Sequence, residues 1–120
     1  MRALVADDSN TMRMVLRDIL QSMGLDVDCV EDGEAALELL GTVSYEIVLL
    51  DWNMPKMLGI DVMKAVRREG NTVPIIVVTT EGQKRNILEA VKAGANDYVT
   101  KPFVKETIVT RVGRLLKSTQ

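Results

Sequence analysis

The feature that most restricts the fold is an unbroken apolar segment in the middle of the chain. It lies within Tyr45–Asp51 and comprises Ile47, Val48, Leu49 and Leu50. A strand buried on both faces, as in the middle of a parallel sheet, has this pattern, whereas a half-exposed strand alternates with polar residues. The segment ends at Asp51, and Pro55 soon excludes further pairing in a sheet. Asp51 is therefore predicted at the carboxyl end of a buried strand, where open α/β sheets bind ligands. From this segment alone, a capping Asp in a polar loop is an equally good interpretation.

Shorter apolar segments and amphipathic patterns alternate along the rest of the chain. The predicted strands are Ala3–Ala6, Leu25–Val30, Tyr45–Asp51, Pro74–Thr79 and Asp97–Thr100. Apolar residues at helical spacing predict five helices, which are indicated by Met12–Met23, Ala35–Leu40, Val62–Val66, Ile87–Val91 and Val104–Leu116. The first is capped by Ser9 or Asn10, and the second follows a turn at Asp32-Gly33 and closes at Gly41.

This alternation predicts the fold class. Five strands that alternate with five helices favour an α/β fold with right-handed crossovers and helices on both faces of the sheet. We expect a doubly wound, flavodoxin-like parallel sheet of five strands. A chain of 120 residues has the size of one domain and is too short for an eight-fold barrel.

Charge and composition exclude several classes of function. The net charge of -2 gives no electrostatic reason to expect nucleic acid or an anionic membrane as a partner, and no apolar segment has the length of a signal peptide core or a membrane span. Cys29 is the only cysteine and is expected in a buried strand, so no internal disulfide can form, as suits a reducing cytoplasm. The absence of histidine excludes histidine-based triads, zinc binding by histidine and phosphohistidine formation within the chain.

Acidic residues follow two of the predicted strands. Asp7 and Asp8 come directly after the first strand and Asp51 ends the third, so the three carboxylates are expected at one edge of the sheet. Carboxylates that repel one another need a compensating cation, and a half-open site with oxygen ligands favours Mg²⁺. Thr79 and Lys101 follow the fourth and fifth strands and add a hydroxyl and a cation. The set predicts a phosphoryl-transfer site with a carboxylate nucleophile, although a solvated acidic loop, a turn threonine and a solvated lysine are the simpler interpretations of each part alone.

Six short motifs follow one another along the chain in a fixed order. They are Asp7-Asp8, Thr11-Met12-Arg13, Asp51-Trp52-Asn53-Met54-Pro55, Val77-Val78-Thr79, Ala93-Gly94-Ala95, and Tyr98 followed by Lys101-Pro102-Phe103. Each motif is weak alone. Together they resemble the response-regulator receiver domains over essentially the whole chain, and the single-domain chemotaxis regulators most of all. Residues 1–120 are thus interpreted as one receiver domain without an output domain.

The resemblance implies roles for the residues at the predicted strand ends. Asp51 would accept a phosphoryl group from a phosphohistidine on a sensor histidine kinase of the chemotaxis type. Asp8, Asp51 and the backbone carbonyl of Asn53 would bind Mg²⁺, with Asp7 acting mainly through water. Lys101 would pair with the phosphoryl group, and the family usually has a cis peptide bond between Lys101 and Pro102.

The resemblance also implies a conformational switch. Thr79 and Tyr98 match the two switch positions, where a hydroxyl moves toward the phosphoryl group and an aromatic ring turns inward. Asn53 and Glu81 match positions that tune dephosphorylation, which suggests a short-lived phosphoryl state. Two residues depart from the family pattern: Leu58 stands where an Asp is frequent before Gly59, and Thr80 stands where a smaller residue is usual and could hinder access to Asp51.

Because no effector domain is expected, output would be binding to another protein. Lys84, Ile87, Tyr98 and Arg111 match positions on the motor-binding face of the chemotaxis family, although Lys84 and Arg111 are equally well explained as solvated charges. The resemblance thus implies a monomeric cytoplasmic switch that acts on the flagellar motor switch protein, with a phosphatase as a further candidate partner. The chain would not be an enzyme beyond catalysing its own phosphorylation and dephosphorylation.

Three other functions fit parts of the pattern. A phosphorelay or shuttle receiver would pass the phosphoryl group to another histidine protein. An aspartyl-phosphate hydrolase of the haloacid dehalogenase type also uses a strand-end Asp, but needs a second Asp where this chain has Asn53. A flavin carrier could share the fold, but three carboxylates at the sheet edge would repel a flavin phosphate.

Overall fold

The computed structural model describes residues 1–80 and 84–118, which form a five-stranded parallel sheet with five helices. The strands are β1 (Arg2–Ala6), β2 (Asp26–Val30), β3 (Ile47–Leu50), β4 (Ile75–Thr79) and β5 (Asp97–Thr100). The helices are α1 (Asn10–Ser22), α2 (Gly33–Thr42), α3 (Gly59–Arg68), α4 (Lys84–Ala93) and α5 (Lys105–Ser118). The strand order β2-β1-β3-β4-β5 is the flavodoxin-like order, so the predicted fold class is confirmed.

The hydrophobic core has two layers, one on each face of the sheet. Alternate strand residues point to opposite faces, so Leu4 and Val48 pack against α2, α3 and α4, while Val5 and Leu49 pack against α1 and α5. All four residues of β3 are buried. Burial on both faces explains why this strand has no polar alternation, as its sequence predicts.

Two sequence-based expectations are wrong, one about the ends of α2 and one about the burial of Cys29 in β2. Asp32 is the N-cap of α2, where its carboxylate accepts a hydrogen bond from the Ala35 amide at 2.8 Å, and Gly41 lies inside the helix rather than closing it. Cys29 is exposed rather than buried, because β2 is at the edge of the sheet and, among the described strands, pairs with β1 alone. The sequence pattern could not assign this edge position, since it depends on the order of strands.

The direction of the connections reverses between β1 and β3. This topological switch point is where open α/β sheets form a crevice at the carboxyl ends of their strands. Ala6 pairs with Leu50 there, so the residues that follow these two strands emerge side by side. Thr79 pairs with Thr100 at the ends of the next two strands.

Candidate functional site

The register of the sheet brings Asp7 and Asp51 next to each other. Each follows the last residue of its strand, and the Asp51 amide donates a hydrogen bond to the Ala6 carbonyl at 2.9 Å. The amide of Asp7 donates to the Val30 carbonyl at 3.1 Å, which extends the sheet pairing by one residue. These backbone hydrogen bonds hold the main chain of Asp7 and Asp51 in place, so both side chains extend from fixed positions at the sheet edge.

The three acidic residues form one cluster. A carboxylate oxygen from each of Asp7, Asp8 and Asp51 lies within 4.8 Å of the others. Asp7 and Asp51 are buried, with 1% and 7% of their surface exposed, while Asp8 is exposed. The cluster is therefore open to solvent on the side of Asp8 and closed toward the sheet.

Lys101 is the cation that contacts the two buried carboxylates. Its Nζ lies 2.7 Å from Asp7 Oδ2 and 3.5 Å from Asp51 Oδ2, and only 13% of the side chain is exposed. The peptide bond between Lys101 and Pro102 is cis, and the Lys101 amide donates to the Thr79 carbonyl at 2.9 Å. The sequence predicted that Lys101 lies at this edge of the sheet, but it did not indicate that Asp7 is the closer of its two partners.

Thr79 completes the group around Asp51. It is 1% exposed, and its hydroxyl donates a hydrogen bond to the Asp51 carboxylate, as does the backbone amide of Trp52. Burial, and to a smaller extent the charge of Asp7, raise the pKa of Asp51 above its ordinary value, while Lys101 and these two hydrogen bonds oppose the increase. Thr80, which follows, is exposed.

Asp7 is held by two further contacts. One of its carboxylate oxygens accepts a hydrogen bond from the Ser9 amide at 2.9 Å, and its backbone carbonyl accepts one from Arg13 Nη1 at 2.7 Å. Arg13 also contacts the Asn10 side chain at 3.2 Å. Sequence reasoning gave Arg13 no role, although it is part of a motif. Its contact joins the first two turns of α1 to the loop that carries the acidic pair.

The loop after Asp51 approaches the acceptor closely at one glycine. The Gly59 amide donates to the Trp52 carbonyl at 2.9 Å, and a Cβ on Gly59 would overlap the backbone carbonyl of Asp51. Leu58 is the N-cap of α3 and provides no side-chain hydrogen bond. The departure from the family pattern at Leu58 thus leaves α3 without a side-chain cap. Asn53 lies in the loop between Asp51 and Gly59 and is exposed.

Tyr98 connects the site to a groove on the surface. Its ring is partly buried and lies 6.5 Å from the Trp52 ring, with the two planes tilted by 58°. Ile87, Tyr98, Phe103 and Arg111 are among the residues that line a groove of about 430 Å³, here called the tyrosine groove. Arg111 also forms an ion pair of 2.5 Å with Asp97.

The structure thus brings together three of the four residues that the sequence assigned to a partner-binding face. Lys84 is the first residue of α4, but its side chain lies outside the described part of the chain, as does Glu81.

The donor set of the acidic cluster fits a hard divalent cation. Mg²⁺ prefers oxygen ligands, usually keeps several waters, and places opposite ligands roughly 4 Å apart. Three carboxylates whose oxygens lie within 4.8 Å of one another and whose outer member is exposed meet these requirements. The chemistry of these residues therefore accommodates Mg²⁺, with Lys101 balancing part of the buried charge.

Comparison with known proteins gives the family. The family model of the response regulator receiver domain matches residues 3–113. The chain belongs to this family. Receiver domains of this kind are signalling modules rather than classical enzymes, and the resemblance expected from the motifs is confirmed.

Individual relatives are similar over nearly their whole length. The chain is 34% identical to the chemotaxis protein CheY of Pseudomonas aeruginosa, covering 98% of this chain and 97% of that protein. It is 34% identical to CheY-3 of Vibrio cholerae, with coverage of 98% and 92%. Among solved structures, a Francisella receiver domain, that of response regulator 1452, has a TM-score of 0.94 at 33% identity, with 99% and 98% of the two chains covered. In the described part of the receiver domain, no helix is long and apolar enough to cross a membrane.

Proposed function

We propose that this receiver domain is a phosphorylation-controlled binding switch in which Asp51 accepts a phosphoryl group from a sensor histidine kinase. Acceptance would be Mg²⁺-dependent and would change the affinity of the tyrosine groove for a partner protein. The relatives named as chemotaxis proteins make the flagellar motor switch the partner that we propose.

One observation carries this proposal: Asp51 has around it the contacts that a phosphoryl acceptor needs. Thr79 donates a hydrogen bond to its carboxylate and Lys101 lies 3.5 Å away. A hydroxyl and an ammonium group placed in this way can bind the oxygens of an incoming phosphoryl group.

The transfer itself exchanges one bond to phosphorus for another. A carboxylate oxygen of Asp51 attacks the phosphorus, the bond from phosphorus to the donor imidazole breaks, and the imidazole keeps the electron pair and takes up a proton from solvent. The carboxylate is the form that attacks. Burial raises the pKa of Asp51, whereas Lys101 and the Thr79 hydrogen bond act to lower this pKa and so favour the charged form.

We assign the cation-binding role to Asp8, Asp51 and the Asn53 backbone carbonyl, with Asp7 contributing through water. When bound, Mg²⁺ would neutralise part of the charge on the carboxylates and on the phosphoryl oxygens. Asp7 keeps Lys101 near the acceptor through their ion pair of 2.7 Å. Asn53 and Glu81 are proposed to set how long the phosphoryl group persists.

The output would follow from contacts that Asp51 already has. A phosphoryl group adds charge and acceptor oxygens at the point where Thr79 and Lys101 meet. Thr79 ends β4, and Tyr98 lies on β5, which pairs with β4. We propose that movement of Thr79 and Lys101 changes the position of the Tyr98 ring and hence the shape of the tyrosine groove.

Trp52 provides the test, because it adjoins Asp51 and is the only tryptophan. Its fluorescence is followed while Mg²⁺ is added, and then beryllofluoride or acetyl phosphate. We expect a change with Mg²⁺ and a further change with the phosphoryl analogue. Intact-mass analysis after acetyl phosphate should show one phosphoryl adduct.

The control is Asp51→Asn, which keeps the size of the side chain and removes the nucleophile. It should lose the response to beryllofluoride and the adduct. A wild-type chain with neither a fluorescence response nor an adduct would contradict the assignment of Asp51. A normal adduct with no change in binding to purified flagellar motor switch protein would instead favour a phosphorelay.

A further inference from the structure

A second groove on the molecule carries an excess of positive charge. It lies between α3 and α4, has a volume of about 570 Å³, and none of its lining residues belongs to the acidic cluster or the tyrosine groove. We call it the cationic groove, and it is lined by Ile60, Lys64, Arg67, Arg68, Glu89, Lys92 and Ala93. Four of these seven side chains are basic and one is acidic, in a chain whose net charge is -2.

The spacing of these residues makes the groove continuous. Ile60, Lys64 and Arg68 follow one another at four-residue intervals on α3, so they share one face of that helix. Lys92 stands on the facing side, on α4. The basic residues thus line both walls, and Ile60 and Ala93 add apolar surface.

The positive charges have no carboxylate partners within the described residues. Lys64, Arg68 and Lys92 are exposed and form no ion pair there, and neither does Glu89. Cations in the last turn of a helix stabilise that helix, which accounts in part for Arg68 and Lys92. It does not account for Lys64, which lies in the middle of α3, or for the location of all the cations at one groove.

Arg67 adds a cation that is already partly removed from solvent. Its guanidinium donates to the Gly94 carbonyl at 2.7 and 3.2 Å, to the Asn71 carbonyl at 2.9 Å and to the Asn96 side chain at 3.0 Å. All of these acceptors are neutral. Burial lowers the pKa of Arg67, and among the described residues no carboxylate forms an ion pair with it. An anion in the groove would compensate this charge.

We propose that the cationic groove binds an acidic segment of a partner protein. The occupant would carry carboxylates that pair with Lys64, Arg68 and Lys92, and an apolar side chain that packs on Ile60 and Ala93. The net negative charge of the whole chain disfavours a nucleic acid or an anionic membrane, which would meet far more of the surface than this groove. The volume lies within the range of sites that hold short ligands.

The test uses the full chain and a capped acidic hexapeptide, Asp-Glu-Leu-Asp-Glu-Leu, with amide chemical shifts as the readout. Shifts should concentrate on α3 and α4 around the cationic groove and should weaken as salt is added. The neutral peptide Asn-Gln-Leu-Asn-Gln-Leu controls for apolar contact. The double variant Arg68→Glu/Lys92→Glu should weaken binding of the acidic peptide by at least about tenfold.

A matched variant separates groove binding from bulk charge. Lys105→Glu/Lys117→Glu changes the net charge by the same amount on α5, away from the groove, and should leave the affinity within about twofold. Equal weakening by both double variants, or equal binding of the neutral peptide, would overturn the proposal. So would displacement of the acidic peptide from the groove by duplex DNA or phosphatidylserine vesicles at lower concentration, since either would identify a different class of occupant.

Discussion

Replacement of Lys101 by methionine removes the cation that contacts both buried carboxylates of the site. The side-chain nitrogen lies 2.7 Å from Asp7 and 3.5 Å from Asp51. Methionine has a similar length and an apolar stem, so it retains most of the packing and the change is mainly electrostatic. We expect the receiver domain to become less stable, because Asp7 and Asp51 would remain buried without this cation.

The structure sets the size of the effect. Removal of one partner from a fully buried ion pair costs about 3–5 kcal/mol. Lys101 retains 13% of its exposure and the cluster is open at Asp8, so we expect about 2–4 kcal/mol in the absence of divalent cations. For a domain of this length, 1 kcal/mol corresponds to roughly 4 °C, so the melting temperature should fall by about 8–16 °C.

Urea and thermal unfolding in chelator measure this loss, and Lys56→Met is the matched control. Lys56 is 62% exposed and its nitrogen lies 3.7 Å from Asp32. Its backbone has a φ of 69°, a strain that lysine and methionine share because neither is branched at Cβ. Asp32 is buried but keeps its hydrogen bond to the Ala35 amide in the variant, and an ion pair with so exposed a lysine contributes less than about 1 kcal/mol. Equal losses in the two variants would refute the electrostatic argument for Lys101.

The pH dependence gives a second check with a definite sign. Burial raises the pKa of Asp51 in the folded chain above its unfolded value, so its protonated form favours folding. Stability from this group is fully present below the unfolded pKa and is lost as pH rises through the folded pKa. Acidification from neutral pH should therefore reduce the cost of Lys101→Met. An equal loss of stability by Lys101→Met at neutral and at acidic pH would contradict this mechanism.

A third check uses the neighbouring carboxylate and the cation. Asp7→Asn in the Lys101→Met background removes one of the two unpaired charges, so the double variant should be more stable than Lys101→Met alone. Saturating Mg²⁺ should likewise restore more stability to Lys101→Met than it adds to the wild type, because in the wild type Lys101 already balances part of the charge on Asp7 and Asp51. Additive losses in the double variant would show that Lys101 and Asp7 are not coupled.

Two further predictions concern the loop beside the site, and a third concerns Tyr45 before the other end of β3. Leu58→Asp should stabilise the protein by about 1 kcal/mol in urea unfolding, because Leu58 has extended N-cap geometry but no side-chain cap; an unchanged midpoint would contradict this. Gly59→Ala should destabilise by about 1–3 kcal/mol and reduce the Trp52 response to Mg²⁺, since its Cβ would overlap the Asp51 carbonyl; wild-type behaviour in both assays would refute it. Tyr45 is largely buried and donates to Asp28 at 2.7 Å, and burial first and then this bond raise its pKa above the ordinary value. The stability it contributes should be lost above about pH 10, and Tyr45→Phe should lessen the alkaline decline in unfolding free energy.

The fold was predictable because its signals are local and repeated. The four apolar residues of β3 indicate burial on both faces, and alternation with amphipathic helices then leaves few topologies. Predictions failed where the result depends on neighbours that the sequence does not identify. Cys29 is exposed because β2 lies at the edge of the sheet. Gly41 was expected to end α2, but the helix continues to Thr42.

The composition of the acidic cluster was also predictable, but its internal geometry was not. Parallel strands bring their carboxyl ends to one edge, so Asp7, Asp51 and Lys101, which each follow a strand, were expected near one another there. Lys101 lies closer to Asp7 than to Asp51, at 2.7 Å against 3.5 Å, and Asp7 is 94 positions away along the chain. The sequence did not indicate the cationic groove. Its cations lie on two separate helices and line one groove only because α3 and α4 pack side by side.

The position of Lys101 explains how a change of charge at Asp51 could reach the tyrosine groove. Lys101 and Thr79 directly contact or approach the Asp51 carboxylate, and they lie at the ends of adjacent strands, where Thr79 pairs with Thr100. New oxygens on Asp51 would compete with Asp7 for the Lys101 ammonium, which now lies 0.8 Å closer to Asp7 than to Asp51, from distances of 2.7 and 3.5 Å. We propose that a shift of this ion pair would act on the end of β5, since Lys101 follows that strand and lies three residues from Tyr98. The proposed path from Asp51 to the tyrosine groove would therefore run along the end of a single strand, β5, rather than across the whole sheet.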